Sequence, residues 1–354
     1  MPTSGKLPPA LTDDFERRLI DHTGPVRQFF LAQALHHALH EGLLGALEEA
    51  PGIGADQVAG RLGLDPYRTG ALLRYLRNEG YTVLEDDGWS LSAKGREVRT
   101  FAPWYEMLVG GYAPSMDQLG AVLRDGTRYA TRNTTKVGEG SCGIGAYDAL
   151  PLVQNLLDTA QDGLHRIIDL GCGDGSFLMD VLVTRPRLSG TGVEPHAESV
   201  VLGERRRAEL GLQDRMELVK GSAQSVVGFD LPDDGAGVCF MTAFVLQEVM
   251  EQEGQQAVED LLTTVFERYP AARWLIVEMD HQPLSPVMGS HGLALNFYNP
   301  YFLIHSITQQ RLQTRAWWDE MFARLGLTAV AAAEPDPRAD STGLQFGVLL
   351  AKQP

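Results

Sequence analysis

The stretch Asp169-Leu170-Gly171-Cys172-Gly173-Asp174-Gly175 has the makings of a ligand-binding turn. It follows directly on the apolar run His165-Arg166-Ile167-Ile168. Glycines placed just after a buried strand let the chain turn tightly and bring its backbone against a ligand. The next apolar run, Gly190-Thr191-Gly192-Val193, ends in Glu194-Pro195, and a carboxylate there can hold both hydroxyls of a ribose. A dinucleotide site fits this much, but its pyrophosphate fingerprint wants Gly-x-Gly-x-x-Gly, whereas Gly171, Gly173 and Gly175 are spaced Gly-x-Gly-x-Gly. Asp169, just before the glycines, can contact an amino-acid moiety through water or the turn backbone. The competing reading makes Asp169 a turn-stabilising carboxylate and Glu194 a solvated strand end.

These residues need a scaffold, and the pattern around them supplies one. From about residue 165, strand-like runs alternate with helical periodicity: 165–170, 190–194, 216–219, 237–241 and 274–278. That alternation predicts a parallel α/β sheet. The runs Thr328-Ala329-Val330 and Phe346-Gly347-Val348-Leu349-Leu350 suit its closing strands. Residues 10–100 read as helices followed by a hairpin around Asp86-Asp87-Gly88, a winged-helix arrangement. Arg68, Arg74 and Arg77 lie on its would-be recognition helix. The formal net charge of −16 repels nucleic-acid phosphates, so a dimerising or substrate-covering role is expected instead. Residues 101–160 form a connector in which Trp104, Tyr105, Tyr112, Tyr129 and Tyr147 are interleaved with Arg128 and Arg132. This mixture suits a pocket for an anionic, partly apolar ligand, or plain packing between domains.

Composition sets outer bounds. The 354 residues are 44% hydrophobic and 21% charged, ordinary for a globular protein. No run is long enough to span a bilayer, and the opening Met-Pro-Thr-Ser-Gly-Lys-Leu lacks a basic region followed by an apolar core. The three scattered cysteines, Cys142, Cys172 and Cys239, form no CxxC pair and fit a reducing compartment. A cytoplasmic protein without nucleic-acid or membrane partners is the expectation.

Ile168-Asp169-Leu170-Gly171-Cys172-Gly173-Asp174-Gly175 resembles the first motif of class I methyltransferases. With the winged-helix start and the segment Arg311-Leu312-Gln313-Thr314-Arg315-Ala316-Trp317-Trp318, nearly the whole chain resembles small-molecule O-methyltransferases that dimerise through their N-terminal domain. The resemblance implies a winged-helix-like dimerisation domain over 1–100, pocket-forming connector helices over 101–160, and a Rossmann-like sheet over 161–354. That sheet would bind S-adenosylmethionine through Asp169, Gly171, Gly173, Gly175, Glu194, Pro195, Ser222, Ala223, Gln224 and Thr242. It also implies a homodimer acting on a small molecule.

One departure redirects the chemistry. In those O-methyltransferases the segment after the fourth strand carries a His-Asp pair whose histidine deprotonates the acceptor hydroxyl. Here it reads Phe244-Val245-Leu246-Gln247-Glu248-Val249, and an amide cannot act as a base near neutral pH. A carboxamide and a carboxylate on adjacent residues can instead be two oxygen ligands of a divalent metal. His281, His291 and His305 remain as sources of a third ligand. The pattern resembles a smaller group of methyltransferases that methylate the β-carbon of α-keto acids such as phenylpyruvate and indolepyruvate. Carried over by position, Gln247, Glu248 and His305 would hold the metal (iron, zinc, manganese, cobalt or nickel). Arg132 or Arg128 would bind the acceptor carboxylate, with Phe297, Tyr298 and Phe302 walling its side chain. The proton would pass to Glu248 or to a hydroxide held by the metal. Two other readings stand beside this one: metal-independent O- or N-methylation of a natural-product scaffold, and a non-catalytic cofactor-binding regulator acting on DNA.

Overall fold

The computed structural model describes residues 11–160, 163–231 and 234–353; the opening segment read for a leader lies outside them. The chain divides into two compact units, Met1–Tyr105 and Glu106–Pro354.

The first unit is helical, with one hairpin. The helices Phe15–His40, Leu43–Glu49, Ala55–Leu62 and Pro66–Asn78 precede β1 (Thr82–Glu85) and β2 (Gly88–Leu91). Asp65 caps the fourth helix by accepting the Arg68 N–H, and Pro66 occupies its first turn, where a missing N–H costs nothing. The hairpin closes with Asp86 and Asp87 both at positive φ, the two-residue turn whose twist matches the strands. Leu35, Leu44, Leu47, Leu73 and Leu76 form its core.

The second unit carries a seven-stranded sheet. Its strands are β3 (Arg166–Leu170), β4 (Ser189–Glu194), β5 (Met216–Lys220), β6 (Val238–Ala243), β7 (Arg273–Met279), β8 (Leu327–Ala333) and β9 (Gln345–Lys352). They lie in the order β5-β4-β3-β6-β7-β9-β8. The first five are parallel, as the alternating pattern predicts, but β9 is antiparallel to both β7 and β8, so the sheet is mixed. Helices cover both faces, which is why β7 reads as an unbroken apolar run. Trp274 and Ile276 pack into one core, and Leu275 and Val277 into the other. Connections between parallel strands return at the same edge, so β3, β4, β6 and β7 all end at one rim of the sheet. Ligands of such sheets bind there. Among the described residues no helix is long and apolar enough to cross a membrane.

Candidate active site

At the end of β3 the chain turns through Gly171 and Gly175, with φ of 76° and 72°. Only glycine takes this conformation without strain, and a Cβ on Gly171 would lie 2.7 Å from Val245 Cγ2. Glu194, at the end of β4, is already aimed at this turn. Its Oε2 accepts the Gly173 N–H at 2.9 Å, and its Oε1 accepts the His196 N–H at 3.0 Å. Asp169 is buried, and burial together with the neighbouring Glu194 charge pushes its carboxyl up to about 7. A cavity of about 330 Å³ opens over these groups and runs past Pro195, Ser222, Ala223 and Gln224.

The far end of the same cavity is made by side chains from well-separated segments. Gln247 and Glu248 sit in the first turn of the helix Leu246–Gln252, and His305 in the last turn of Asn299–Ile307. Arg132 comes from just before the helix Thr134–Gly145. Gln247 is 2% exposed; its Nε2 reaches the Tyr301 hydroxyl at 3.5 Å, and its Oε1 has no partner. An unmatched buried acceptor costs about 1–3 kcal/mol, so this oxygen is poised for a ligand. Glu248 Oε1 accepts from Arg132 at 2.5 Å and from Gln310 Nε2 at 2.9 Å. Gln310 in turn accepts from the Tyr112 hydroxyl at 3.0 Å. His305 stacks on Tyr301, with ring centroids 3.7 Å apart. Burial pulls the His305 imidazole down to about 3, so it is neutral at physiological pH. Its Nδ1 lies 2.7 Å from the Tyr301 carbonyl, which can only accept, so Nδ1 carries the proton and Nε2 keeps a lone pair.

Comparison with known proteins places the chain in a family. The chain is 42% identical over 350 residues to the 2-ketoarginine methyltransferase of Streptomyces arginensis, covering 97% of this chain and 98% of that one. It is 31% identical over 249 residues to the indolepyruvate C-methyltransferase of Streptomyces griseus, covering 68% of each. The chain belongs to this family of S-adenosylmethionine-dependent methyltransferases. No protein-family model matches it. The structure of the mitomycin 7-O-methyltransferase MmcR superposes on the methyltransferase with a TM-score of 0.68 at 18% identity, over 95% of this chain and 99% of that one. At that identity the likeness shows the Rossmann-like fold.

Two sequence expectations about the site need correction. Thr242 does not reach the cavity: it is fully buried inside β6, and its hydroxyl accepts from the Trp274 indole at 3.2 Å. The aromatic wall also differs. Tyr301 and His305, four residues apart on one helix face, line the cavity, whereas Phe297, Tyr298 and Phe302 pack behind it. Of the connector residues, Tyr112 and Arg132 line the cavity; Arg128 is exposed and Tyr129 and Tyr147 stand largely at the surface.

The sequence reading missed Glu278 at the end of β7. Its buried carboxyl lies beside the backbone N–H groups of Gln247, Leu246 and Met279, and its Oε1 has no hydrogen-bond partner. Burial pushes it up to about 8. The preceding corner is strained: Phe244 sits at φ 59°, a conformation costly for an aromatic residue, and its N–H is tied to the Val277 carbonyl at 2.9 Å. Val277 and Glu278 thus clamp the corner that presents Gln247 and Glu248. The signal was available, because Glu278 ends an apolar strand as Glu194 does.

Proposed function

We propose that this methyltransferase transfers a methyl group to the β-carbon of a 2-oxo acid, with a divalent metal held by Gln247, Glu248 and His305. The observation that carries the reading is the pairing of a partnerless Gln247 Oε1 with a neutral His305 whose Nε2 keeps its lone pair. A histidine fixed through Nδ1 to a backbone carbonyl is the usual arrangement of a metal ligand. An amide, a carboxylate and an imidazole form a donor set suited to first-row metals. Among the described residues no three His, Cys, Asp or Glu side chains gather as a metal cluster. The names of the two relatives, one acting on 2-ketoarginine and one on indolepyruvate, point to the same acceptor class.

A metal in this site would act as a Lewis acid on the acceptor's oxygens and make its β C–H acidic. The chain's own groups do the rest. Arg132 exchanges its Glu248 partner for the acceptor carboxylate, a bidentate match for its guanidinium. Glu248, released from that pair, takes the proton from the β-carbon. Asp169, Glu194 and the glycine turn hold the methyl donor in line with the carbon, and positioning supplies much of the rate. The test is methyl transfer to a panel of 2-oxo acids before and after exhaustive chelation. Activity on 2-oxo acids that vanishes with chelator and returns with metal supports the reading. Transfer that survives chelation, or appears only on hydroxyl or amine acceptors, overturns it.

A homodimer through the winged-helix-like first unit, working in the cytoplasm, completes the proposal. Ile20, Val26, Phe29 and Phe30 on the helix Phe15–His40 are more than half exposed, an apolar stripe suited to a second copy. The cysteines are all free. Sedimentation at micromolar concentration tests the dimer, and a monomer there would contradict it.

A further inference from the structure

Two neighbouring glutamines follow the helix Asn299–Ile307, and the structure treats them oppositely. Gln309 is exposed, whereas Gln310 is 6% exposed and lines the cavity. A tight turn brings Gln310 inward, its N–H donating to the Thr308 carbonyl at 2.8 Å. The next N–H, that of Arg311, donates to the Gln247 carbonyl at 2.9 Å. This segment is therefore tied through its backbone to the helix that presents Gln247 and Glu248.

The Gln310 side chain belongs to a closed circuit with Tyr112, Arg132 and Glu248, and the polarity of that circuit has one solution. Arg132 can only donate and an ionised Glu248 can only accept. Arg132 Nη1 donates to the Tyr112 hydroxyl oxygen at 3.4 Å, so the hydroxyl proton turns the other way, onto Gln310 Oε1 at 3.0 Å. Burial pushes the Tyr112 phenol up, which keeps that proton in place. With its oxygen engaged, the amide presents its NH2 to Glu248 Oε1 at 2.9 Å. The reverse orientation would set the amide oxygen against the carboxylate. Arg132 Nη2 closes the circuit on the same Glu248 oxygen at 2.5 Å. Among the described residues no donor reaches Glu248 Oε2.

The two donors on Glu248 Oε1 differ in what can displace them. Arg132 is drawn off by an incoming carboxylate, the stronger claim on a guanidinium. Gln310 is uncharged, buried and fixed at both ends of its amide, so it stays. Once Arg132 has moved, the Gln310 bond holds Oε1 and leaves Oε2 facing the cavity. A base must be held within reach of the proton it removes, and a carboxylate free to rotate would lose that alignment.

We infer that Gln310, oriented by Tyr112, is a positioning residue for proton removal: it holds Glu248 through Oε1 so that Oε2 meets the acceptor's β-hydrogen. The proton passes to Oε2, and the C–H electron pair stays with the acceptor as its enolate until it forms the bond to the methyl group. This rests on the reading of Glu248 as the proton acceptor given above and adds the side chains that aim it.

The experiment uses full-length, metal-supplemented enzyme as wild type, Gln310→Met, Tyr112→Phe and the double variant. The acceptor is the 2-oxo acid that wild type methylates fastest, with indolepyruvate and 2-ketoarginine both tried. The readouts are kcat and KM for that acid, exchange of its β-hydrogen into D2O with S-adenosylhomocysteine bound, and S-adenosylhomocysteine affinity by calorimetry. Gln310→Met should lower kcat by about tenfold and β-hydrogen exchange at least as much, with KM changed less than about twofold and S-adenosylhomocysteine affinity intact. Tyr112→Phe, which removes one oxygen, should lower kcat by about threefold alone and no further in the Gln310→Met background, since both act through one chain. A rise in KM as large as the fall in kcat, or a parallel loss of S-adenosylhomocysteine affinity, would show a merely structural role and overturn the inference. If Gln310→Met does not fold, Tyr112→Phe decides alone, and an unchanged kcat there overturns it too. Full activity of Gln310→Met on 2-oxo acids sinks this inference and leaves the 2-oxo acid reading standing. Wild-type transfer to hydroxyl or amine acceptors alone sinks both.

Discussion

The two ends of the cavity are built by different means. The proposed donor end is backbone: glycines at positive φ, N–H groups turned onto Glu194, and a carboxylate at each of two neighbouring strand ends. The proposed acceptor end is side chain: Arg132, Gln247, Glu248, His305 and Gln310 come from three segments far apart in sequence and line one cavity. A backbone site tolerates little change but serves any acceptor. A side-chain site can be rewritten one residue at a time, which suits an enzyme family whose members differ in acceptor.

This contrast can be broken at either end. The largest effect should come from Glu194→Ala, which removes the partner of two backbone N–H groups and the carboxylate expected to hold the ribose. Affinity for S-adenosylmethionine should fall by about 100-fold or more, measured by calorimetry, with equal loss for every acceptor. A loss confined to one acceptor would erase the distinction between the ends. His305→Ala should lower kcat by about 100-fold and leave donor affinity intact, and the chelated wild type should match it. A smaller effect is expected for Arg132→Gln, about a tenfold rise in KM for the 2-oxo acid.

The smallest effect is on stability. Burial raises Asp148 to about 7 from the ordinary carboxylate range near 4. An acid whose folded pKa is raised contributes stability that is fully present below the unfolded pKa. As pH climbs from about 4 to about 7 the unfolded chain releases its proton first, so the contribution is lost across that window. Asp148→Asn should therefore flatten the decline in melting temperature between about pH 4 and 7. A melting curve with the same pH slope as wild type would contradict this assignment.

The same contrast explains what could be read from sequence. The proposed donor end is local in the chain: strand, glycines, strand, acid, all within the alternating pattern, so the turn that gathers Asp169, Gly171 and Glu194 is legible from spacing. The sheet was legible for a similar reason, since buried parallel strands stand out as apolar runs. The antiparallel insertion of β9 between β7 and β8 was not, because pairing partners leave no local trace. At the acceptor end, Gln247 drew notice only because a histidine was expected there. His305 stands out among apolar neighbours, but the sequence does not fix the helix phase that puts Tyr301 rather than Phe302 on the wall. Thr242 differs from expectation because a strand end looks the same in sequence whether its hydroxyl faces a ligand or the Trp274 indole. Phe244 and the clamp by Val277 and Glu278 are conformational facts that residue types alone do not carry.

The central claim is that carbon, not oxygen or nitrogen, receives the methyl group. Its most direct test is turnover with S-adenosylmethionine labelled with ¹³C in the methyl group, followed by carbon NMR of the product. The account predicts a labelled methyl coupled to the acceptor's β-carbon. A labelled methyl bonded to oxygen or nitrogen would contradict it.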